Sequence, residues 1–338
     1  MTFRIRAAHA SDLQPLYEMA KLTGGGFTNL PADRKSLTAK LDRSAAAFAR
    51  DEESVADDLF VLVLENAETG DVRGTCQLFG LVGQTWPFYS YRIGQLSQHS
   101  AELGRTFKAE MLTLSTDLEG CSEVGGLFLH PSERAGGLGM LIARSRYLFI
   151  RNHRARFADR IFAELRGVID EAGGSPFWDG VAGRFFGMNF QEADAFNAVN
   201  GNQFIADLMP KHPVYTAMLP ETARAAIGLP HPSGRAAMRM LENEGFRWDS
   251  YIDIFDGGPT MTARTDDVAS ICKAEDSRIV EVRDVGAEKV LAARGRLEDF
   301  VAAYAHIERL EGGIAIDEAG ATALGVGVGD TISHVARW

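Results

Sequence analysis

The residues best suited to chemistry are gathered at Arg134-Ala135-Gly136-Gly137-Leu138-Gly139. Glycines let a backbone approach a ligand closely. Successive N–H groups at the start of a helix can then converge on anionic oxygens with the helix dipole behind them. A pyrophosphate fits such a cradle, and Arg134 adds a charge-assisted contact. A plain glycine-rich turn accounts for the letters too. A dinucleotide fingerprint fits less well, because Gly137-Leu-Gly-Met-Leu-Ile142 lacks its third glycine. Two of the eight histidines, His231 in Leu229-Pro-His-Pro232 and His212 in Lys211-His-Pro213, sit beside prolines. Imidazole suits proton transfer near neutrality. A proline-flanked histidine is more often structural or merely exposed, and residue type alone does not choose between them.

The elements that must position these groups follow from periodicity and punctuation. Phe3 to Ala8 alternates as a strand, and Ser11-Asp12 offers N-cap oxygens to a helix carrying Leu13, Leu16, Tyr17 and Met19. Leu59 to Glu65 and Val72 to Leu81 read as a hairpin across Thr69-Gly70. Val124 to Leu129 is a buried strand, and after the glycine loop a helix runs through Leu141, Ile142, Arg146, Tyr147 and Phe149. A strand at Arg160 to Arg166 precedes a helix begun by Ser175-Pro176. A second helix, Arg235 to Glu244, ends at Gly245 and is expected to pack as core. Trp248 to Phe255 returns as a strand stopped by Asp256-Gly257-Gly258-Pro259. Phe177, Trp178, Phe185, Phe186 and Phe190 form an aromatic group read as core rather than as a platform for a base. After about residue 265 come short β-type runs, Ile279 to Val282, Val290 to Ala293, Val301 to Ile307 and Ile332 to Val335. Leu324 to Ile332 resembles the turn-rich segment of small ψ-type barrels, and a glycine-rich surface loop accounts for it about as well.

Bulk properties narrow the partners. At 338 residues, 46% hydrophobic and 24% charged, the chain has the composition of a folded globular protein with a sizeable core. A net charge of -11 disfavours nucleic acid, which needs a field of Lys and Arg, and would attract a cationic substrate. Cys76, Cys121 and Cys272 are widely spaced, so neither a disulfide framework nor a metal site is expected. With no signal-like segment at the start and no 18-residue apolar run, a cytoplasmic protein that does not span a membrane is expected.

The loop Arg134 to Gly139, lying between a strand and a helix, resembles the coenzyme A-binding loop of the GNAT acyltransferase superfamily. Longer phrases resemble one family within it, the arginine N-succinyltransferases: Thr23 to Pro31, Tyr89 to Gly94, Arg166 to Glu171, Ser175 to Trp178, Leu208 to Pro213 and Tyr251 to Thr260. They occur in the family's order and spacing, and the similarity weakens after about residue 265.

The resemblance implies an α+β GNAT-like fold with a mixed sheet over residues 1–265, split around Val124 to Leu129, and a small, mostly β C-terminal domain over 266–338. It implies transfer of a succinyl group from succinyl-CoA, a co-substrate rather than a bound cofactor, to the α-amino group of L-arginine, with ornithine as a second acceptor. His231 matches the family's proton donor. Leu127, Arg134, Gly136, Gly137, Leu138 and Gly139 match acyl-CoA contacts. A backbone N–H near Leu127 would meet the oxyanion. His212 is the substitute for His231, followed by a carboxylate base at Glu164, Asp170 or Glu171. Arg92 and Arg166 are candidates for the succinyl carboxylate, and Asp170 or Glu171 for the guanidinium. Two departures from the family stand out: a short tail, and Val124-Gly-Gly126 where bulkier residues are expected. The alternatives are another acyl-CoA or basic amine, or a non-catalytic acyl-CoA-binding subunit of a hetero-oligomer. A homo- or hetero-oligomer is expected.

Overall fold

The computed structural model describes residues 2–23, 29–134, 136–286 and 288–337, without the side chains of 198 and 199. Most of the Thr23 to Pro31 phrase, Ala135 and Trp338 therefore lie outside the described residues. Backbone proximity groups the chain into two units, 1–80 with 122–159 and 264–338, and 81–121 with 160–263.

In the first unit, strands Phe3–Ala7, Leu59–Asn66, Val72–Phe79 and Ser122–Leu129 are neighbours in that order, each pair antiparallel. Leu59–Asn66 is buried along its whole length, as its apolar run Leu-Phe-Val-Leu-Val-Leu requires. Five further strands, Glu275–Val282, Glu288–Arg294, Val301–Leu310, Gly313–Ile316 and Thr331–Ala336, pair in a closed circuit. One pair, Glu275–Val282 with Gly313–Ile316, is parallel, which makes the sheet mixed. Closure leaves this small ring without a free edge and encloses Ile279, Val290, Ala303, Ile307, Ile316, Leu324 and Ile332. Val301–Leu310 also pairs with Phe3–Ala7, which joins the ring to the first sheet.

Helix Leu138–Asn152 is buried continuously from Leu141 to Ile150. It packs on strands Val72–Phe79 and Ser122–Leu129 and also on Glu288–Arg294 and Val301–Leu310. Its Phe149 ring meets Phe48, Phe60, Phe157 and Phe300 at centroid distances of 6.1, 4.9, 6.2 and 5.1 Å. Arg144, buried on the same helix, donates to Ser270 Oγ at 3.0 Å and to the Ala336 carbonyl at 3.0 Å.

In the second unit the strand order is Arg160–Glu164, Pro259–Arg264, Arg247–Ile252, Ser90–Ser100, Arg105–Ser115 and Val214–Tyr215. The helices of residues 176–226 surround Trp178, which stacks on Phe186 and Phe255 at 5.6 and 5.5 Å. Of the aromatic group expected as core, Phe177, Trp178 and Phe190 are buried, and Phe185 is half exposed.

Several boundaries move. The long hairpin Ser90–Ser100/Arg105–Ser115 was not expected, because both of its faces carry polar residues and the alternation is weak. Helix Arg34–Ala49 was also missed, although Asp33 caps it by accepting from the Ser36 N–H at 2.7 Å. Pro259 opens the next strand rather than ending the last one: the turn of residues 253–258 closes through an Asp253 N–H to Gly258 carbonyl bond of 2.9 Å, and a first strand position tolerates the missing N–H. Helix Arg235–Asn243 does not pack as core; Leu241 is its one buried side chain, and Phe246 beyond it is buried.

Candidate active site

The first unit holds the glycine loop and Leu127. Strands Val72–Phe79 and Ser122–Leu129 run in register at Thr75 with Phe128 and at Gln77 with Gly125, so Gly126 and Leu127 together face Cys76 alone. This is a β-bulge, and Gly126 takes φ +57° to make it. A Cβ at Gly126 would come 2.7 Å from Gln77 Cδ, and one at Gly125 2.6 Å from Glu123 Oε1. The small residues before the loop are therefore required by the bulge and by its packing.

Around the bulge, Gln77 donates to the Asn29 carbonyl at 2.6 Å, and the Arg146 guanidinium reaches the Gly125 carbonyl at 3.5 Å. Burial raises the Glu123 carboxyl, with Lys40, Asn29 and Arg146 opposing. Burial likewise lowers the Lys40 ammonium, with Glu123 opposing. The Cys76 thiol is pushed up to about 12 by burial, which makes it a poor nucleophile.

Past the bulge, Gly136 and Gly137 adopt φ +98° and +83°, and Gly137 is the left-handed N-cap of helix Leu138–Asn152. Leu138 and Gly139 stand in the first turn, whose N–H groups have no acceptor within the helix. A helix start approached through two left-handed glycines presents the N–H cluster that an anionic ligand needs. Arg134 is exposed just before it. The Tyr304 hydroxyl donates to the Gly137 carbonyl at 3.2 Å.

The second unit holds His231. Its backbone N–H donates to the Arg166 carbonyl at 2.7 Å, and its ring caps the turn Pro232–Gly234. Nδ1 lies 2.7 Å from Ser233 Oγ and accepts from the Ser233 N–H at 3.3 Å, which assigns the proton of the neutral ring to Nε2. Burial, and then the Arg166 guanidinium, hold the imidazole below the usual histidine range. Arg166 Nε is buried with no hydrogen-bond partner among the described residues.

Three carboxylates missed in the sequence belong to the same unit. Asp256 accepts from the N–H groups of Gly167 and Gly258 at 2.7 and 2.8 Å, and burial followed by Asp253 raises it well above the carboxylate range. Asp253 accepts from Phe255 and Asp256 N–H at 2.7 and 2.8 Å. Asp194 is pushed up to about 6, by burial and then by Asp253, with Arg166 opposing. Asp253 and Asp256 lay inside a family phrase; Asp194 carried no signal.

The other candidates fare differently. Asp170 is occupied by its own turn, accepting from Ala172 and Gly174 N–H at 2.9 and 2.8 Å. Arg92 pairs with Asp117 at 3.3 Å and lies over the Tyr251 ring. Glu171 and His212 are exposed, and Glu164 is half-buried. His130 repeats the arrangement of His231: it also precedes Pro-Ser, with Nδ1 2.7 Å from Ser132 Oγ and 3.3 Å from the Ser132 N. The glycine loop and Leu127 thus lie within one unit and His231 within the other.

Residues 3–270 match the family described as arginine N-succinyltransferase beta subunit, and residues 273–336 match that family's C-terminal domain. The chain belongs to the arginine N-succinyltransferase family. Curated relatives named arginine N-succinyltransferase from Salmonella schwarzengrund and Citrobacter koseri are each 44% identical, over 280 and 277 residues. The alignments cover 83% and 82% of this chain and 80% of each relative. Among solved structures, arginine/ornithine succinyltransferase subunit AI from Pseudomonas aeruginosa superposes with a TM-score of 0.89 at 32% identity, over 99% of this chain and 98% of that one. The α+β acyltransferase fold expected from the family phrases, with its β-rich C-terminal part, is the fold found. Among the described residues no helix is long and apolar enough to cross a membrane.

Proposed function

We propose that this chain transfers the succinyl group of succinyl-CoA to the α-amino group of L-arginine. The observation that carries the reading is 44% identity over 83% of the chain to enzymes named for that reaction. The bulge at Gly126-Leu127 and the left-handed glycines that open the helix support it, since a bulged strand and a glycine-rich helix start are suited to an oxyanion donor and a pyrophosphate cradle.

In this reading the free amine attacks the thioester carbonyl, and the Leu127 N–H meets the oxyanion. The attacking nitrogen is then cationic; the C–S bond breaks as the sulfur takes a proton for which His231 is the donor, and the proton shed by the nitrogen restores the histidine. Leu127, Arg134, Gly136, Gly137, Leu138 and Gly139 hold the acyl-CoA. The half-buried Asp194 and Asp253, with Arg166 near Asp194, are the charged groups best suited to the two ends of the substrates. Residues 1–265 form the acyltransferase domain and 266–338 a β-rich C-terminal domain. The closed circuit of strands and the separate family match for the C-terminal residues support that division. We read the protein as cytoplasmic; we also read it as oligomeric, which the subunit designations of its family and of the Pseudomonas aeruginosa protein support.

A thiol-release assay over a grid of acyl-CoAs and basic amines tests this, with succinyl-CoA and arginine expected to give the fastest turnover. Equal or faster release from acetyl-CoA would remove the succinyl assignment. His231→Ala should lower kcat by roughly 100-fold to 10,000-fold with KM little changed. His130→Ala, which removes the same local cap, should not. The reverse outcome would move the proton donor to His130.

A further inference from the structure

We propose that the C-terminal strands complete the acyl-CoA site: Arg337, with Lys289 beside it, supplies the cationic contact to a phosphate of the coenzyme held at the Gly136-Gly137 loop. This rests on the coenzyme reading of that loop. The observation behind it is where the guanidinium of the penultimate residue lies. It packs against the loop backbone so closely that a Cβ on Gly137 would fall 2.1 Å from it. The same guanidinium lies over the Tyr304 ring, 4.6 Å from its centroid, and the Lys289 ammonium lies 5.3 Å from that centroid. Tyr304 in turn donates its hydroxyl to the Gly137 carbonyl at 3.2 Å. The backbone holds the arrangement in place, since the Arg337 N–H donates to the Lys289 carbonyl at 3.0 Å.

Charge explains why this grouping calls for a ligand. The chain carries a net charge of -11, so carboxylates are abundant. Elsewhere in this unit arginines take them: Arg151 pairs with Asp276, Arg283 with Glu308 and Arg309 with Glu275. Among the described residues, no ion pair is found for Arg337 or Lys289. Two cations held against one ring beside a glycine-rich helix start are stabilised by an anion, and a phosphate takes both kinds of contact, guanidinium and N–H. Acyl-CoA offers two sources of that chemistry, the diphosphate and the 3′-phosphate.

The test uses the full-length protein and calorimetric titration with CoA and with 3′-dephospho-CoA, for Arg337→Gln, Arg337→Lys and Arg337→Gln/Lys289→Gln. Arg337→Gln should weaken CoA at least about 10-fold, the double variant further, and Arg337→Lys should recover part of the loss. Loss shared by both ligands assigns the diphosphate; loss confined to CoA assigns the 3′-phosphate. The drop in kcat/KM with succinyl-CoA should also exceed the drop with succinyl-pantetheine, which lacks the phosphates, by about 10-fold. Unchanged CoA affinity in the folded double variant overturns the proposal. Gly137→Asp separates the two levels. If it abolishes CoA binding while the Arg337 variants bind normally, only the role of the C-terminal strands is lost. If it too binds normally, the coenzyme reading of the loop falls, and this inference falls with it.

Discussion

Substituting Gly126 by alanine tests whether the bulge organises the acyl end of the site. Two costs add up in the folded state. Alanine at φ +57° enters the left-handed region, which costs roughly 1–2 kcal/mol. Its Cβ also lands 2.7 Å from Gln77 Cδ and 2.8 Å from Cγ. Gln77 is buried and tied to the Asn29 carbonyl at 2.6 Å. Displacing it sacrifices a hydrogen bond and strands a buried amide, at about 1–3 kcal/mol. Gly126→Ala should therefore lose about 3 kcal/mol in urea denaturation. If the Leu127 N–H is the oxyanion donor, kcat in the thiol-release assay should fall about 100-fold with succinyl-CoA and arginine saturating. Gln77→Ala in the same chain removes the overlap but not the backbone strain. The double variant should thus regain part of the stability and little of the activity. Stability within about 0.5 kcal/mol of the parent with kcat within about twofold would refute both the packing argument and the role given to the bulge.

His153 is buried as a neutral ring, with Nδ1 donating to the Phe149 carbonyl at 2.8 Å and Nε2 accepting from the Leu297 N–H at 3.0 Å. Burial pushes its pKa down to about 4, so its stabilising contribution is complete above the unfolded value near 6.5 and is lost as pH falls through about 4. A loss of about 3 kcal/mol across that window, absent in His153→Gln, is expected in urea titrations, and an equal pH dependence in both proteins would exclude it. Asp58 joins Arg50 at 2.6 Å to the fully buried Arg156 at 3.2 Å. Asp58→Ala should cost about 3–5 kcal/mol by leaving Arg156 uncompensated, and a change below about 1 kcal/mol would show that the cation is satisfied by other groups.

The parts of the fold legible in the sequence are those where local pattern and tertiary burial agree. Leu59–Asn66 is buried throughout and carries an unbroken apolar run from Leu59 to Leu64, and Ser175-Pro176 opens its helix as an N-cap followed by a proline, with Ser175 Oγ accepting from the Trp178 N–H at 3.1 Å. The hairpin Ser90–Ser100/Arg105–Ser115 was illegible for the opposite reason: residues 95–99 and 105–108 are exposed on both faces, so no side was marked. The ring of C-terminal strands lay between these cases. Four of its five strands were readable one by one, but Gly313–Ile316 was not, and closure depends on its parallel pairing with Glu275–Val282, which no short-range signal announces.

The site divides along the same line. Gly136 and Gly137 could be recognised because a left-handed entry to a helix needs glycine whatever the fold does around it. His231 could not be recognised from its own neighbours, and the structure shows why: His130 has the same proline, the same serine cap and the same ring geometry. The local sequence builds a capping histidine in both places. The Arg166 guanidinium is what the fold adds near His231, and it lowers the affinity of the ring for a proton. The segment that carries Arg166 is held by Asp256 through the Gly167 N–H, and a Cβ at Gly167 would lie 2.3 Å from the Asp256 carbonyl oxygen. The Asp-Gly-Gly-Pro turn therefore fixes the backbone beside Arg166, and Arg166 tunes His231, across sequence separations that no local pattern spans. Removing the positive charge with Arg166→Met should raise the His231 pKa, followed by NMR titration of the ring, while His130 stays where it was. Equal values before and after would mean that Arg166 does not tune the ring, and would leave burial as the only cause of the shift.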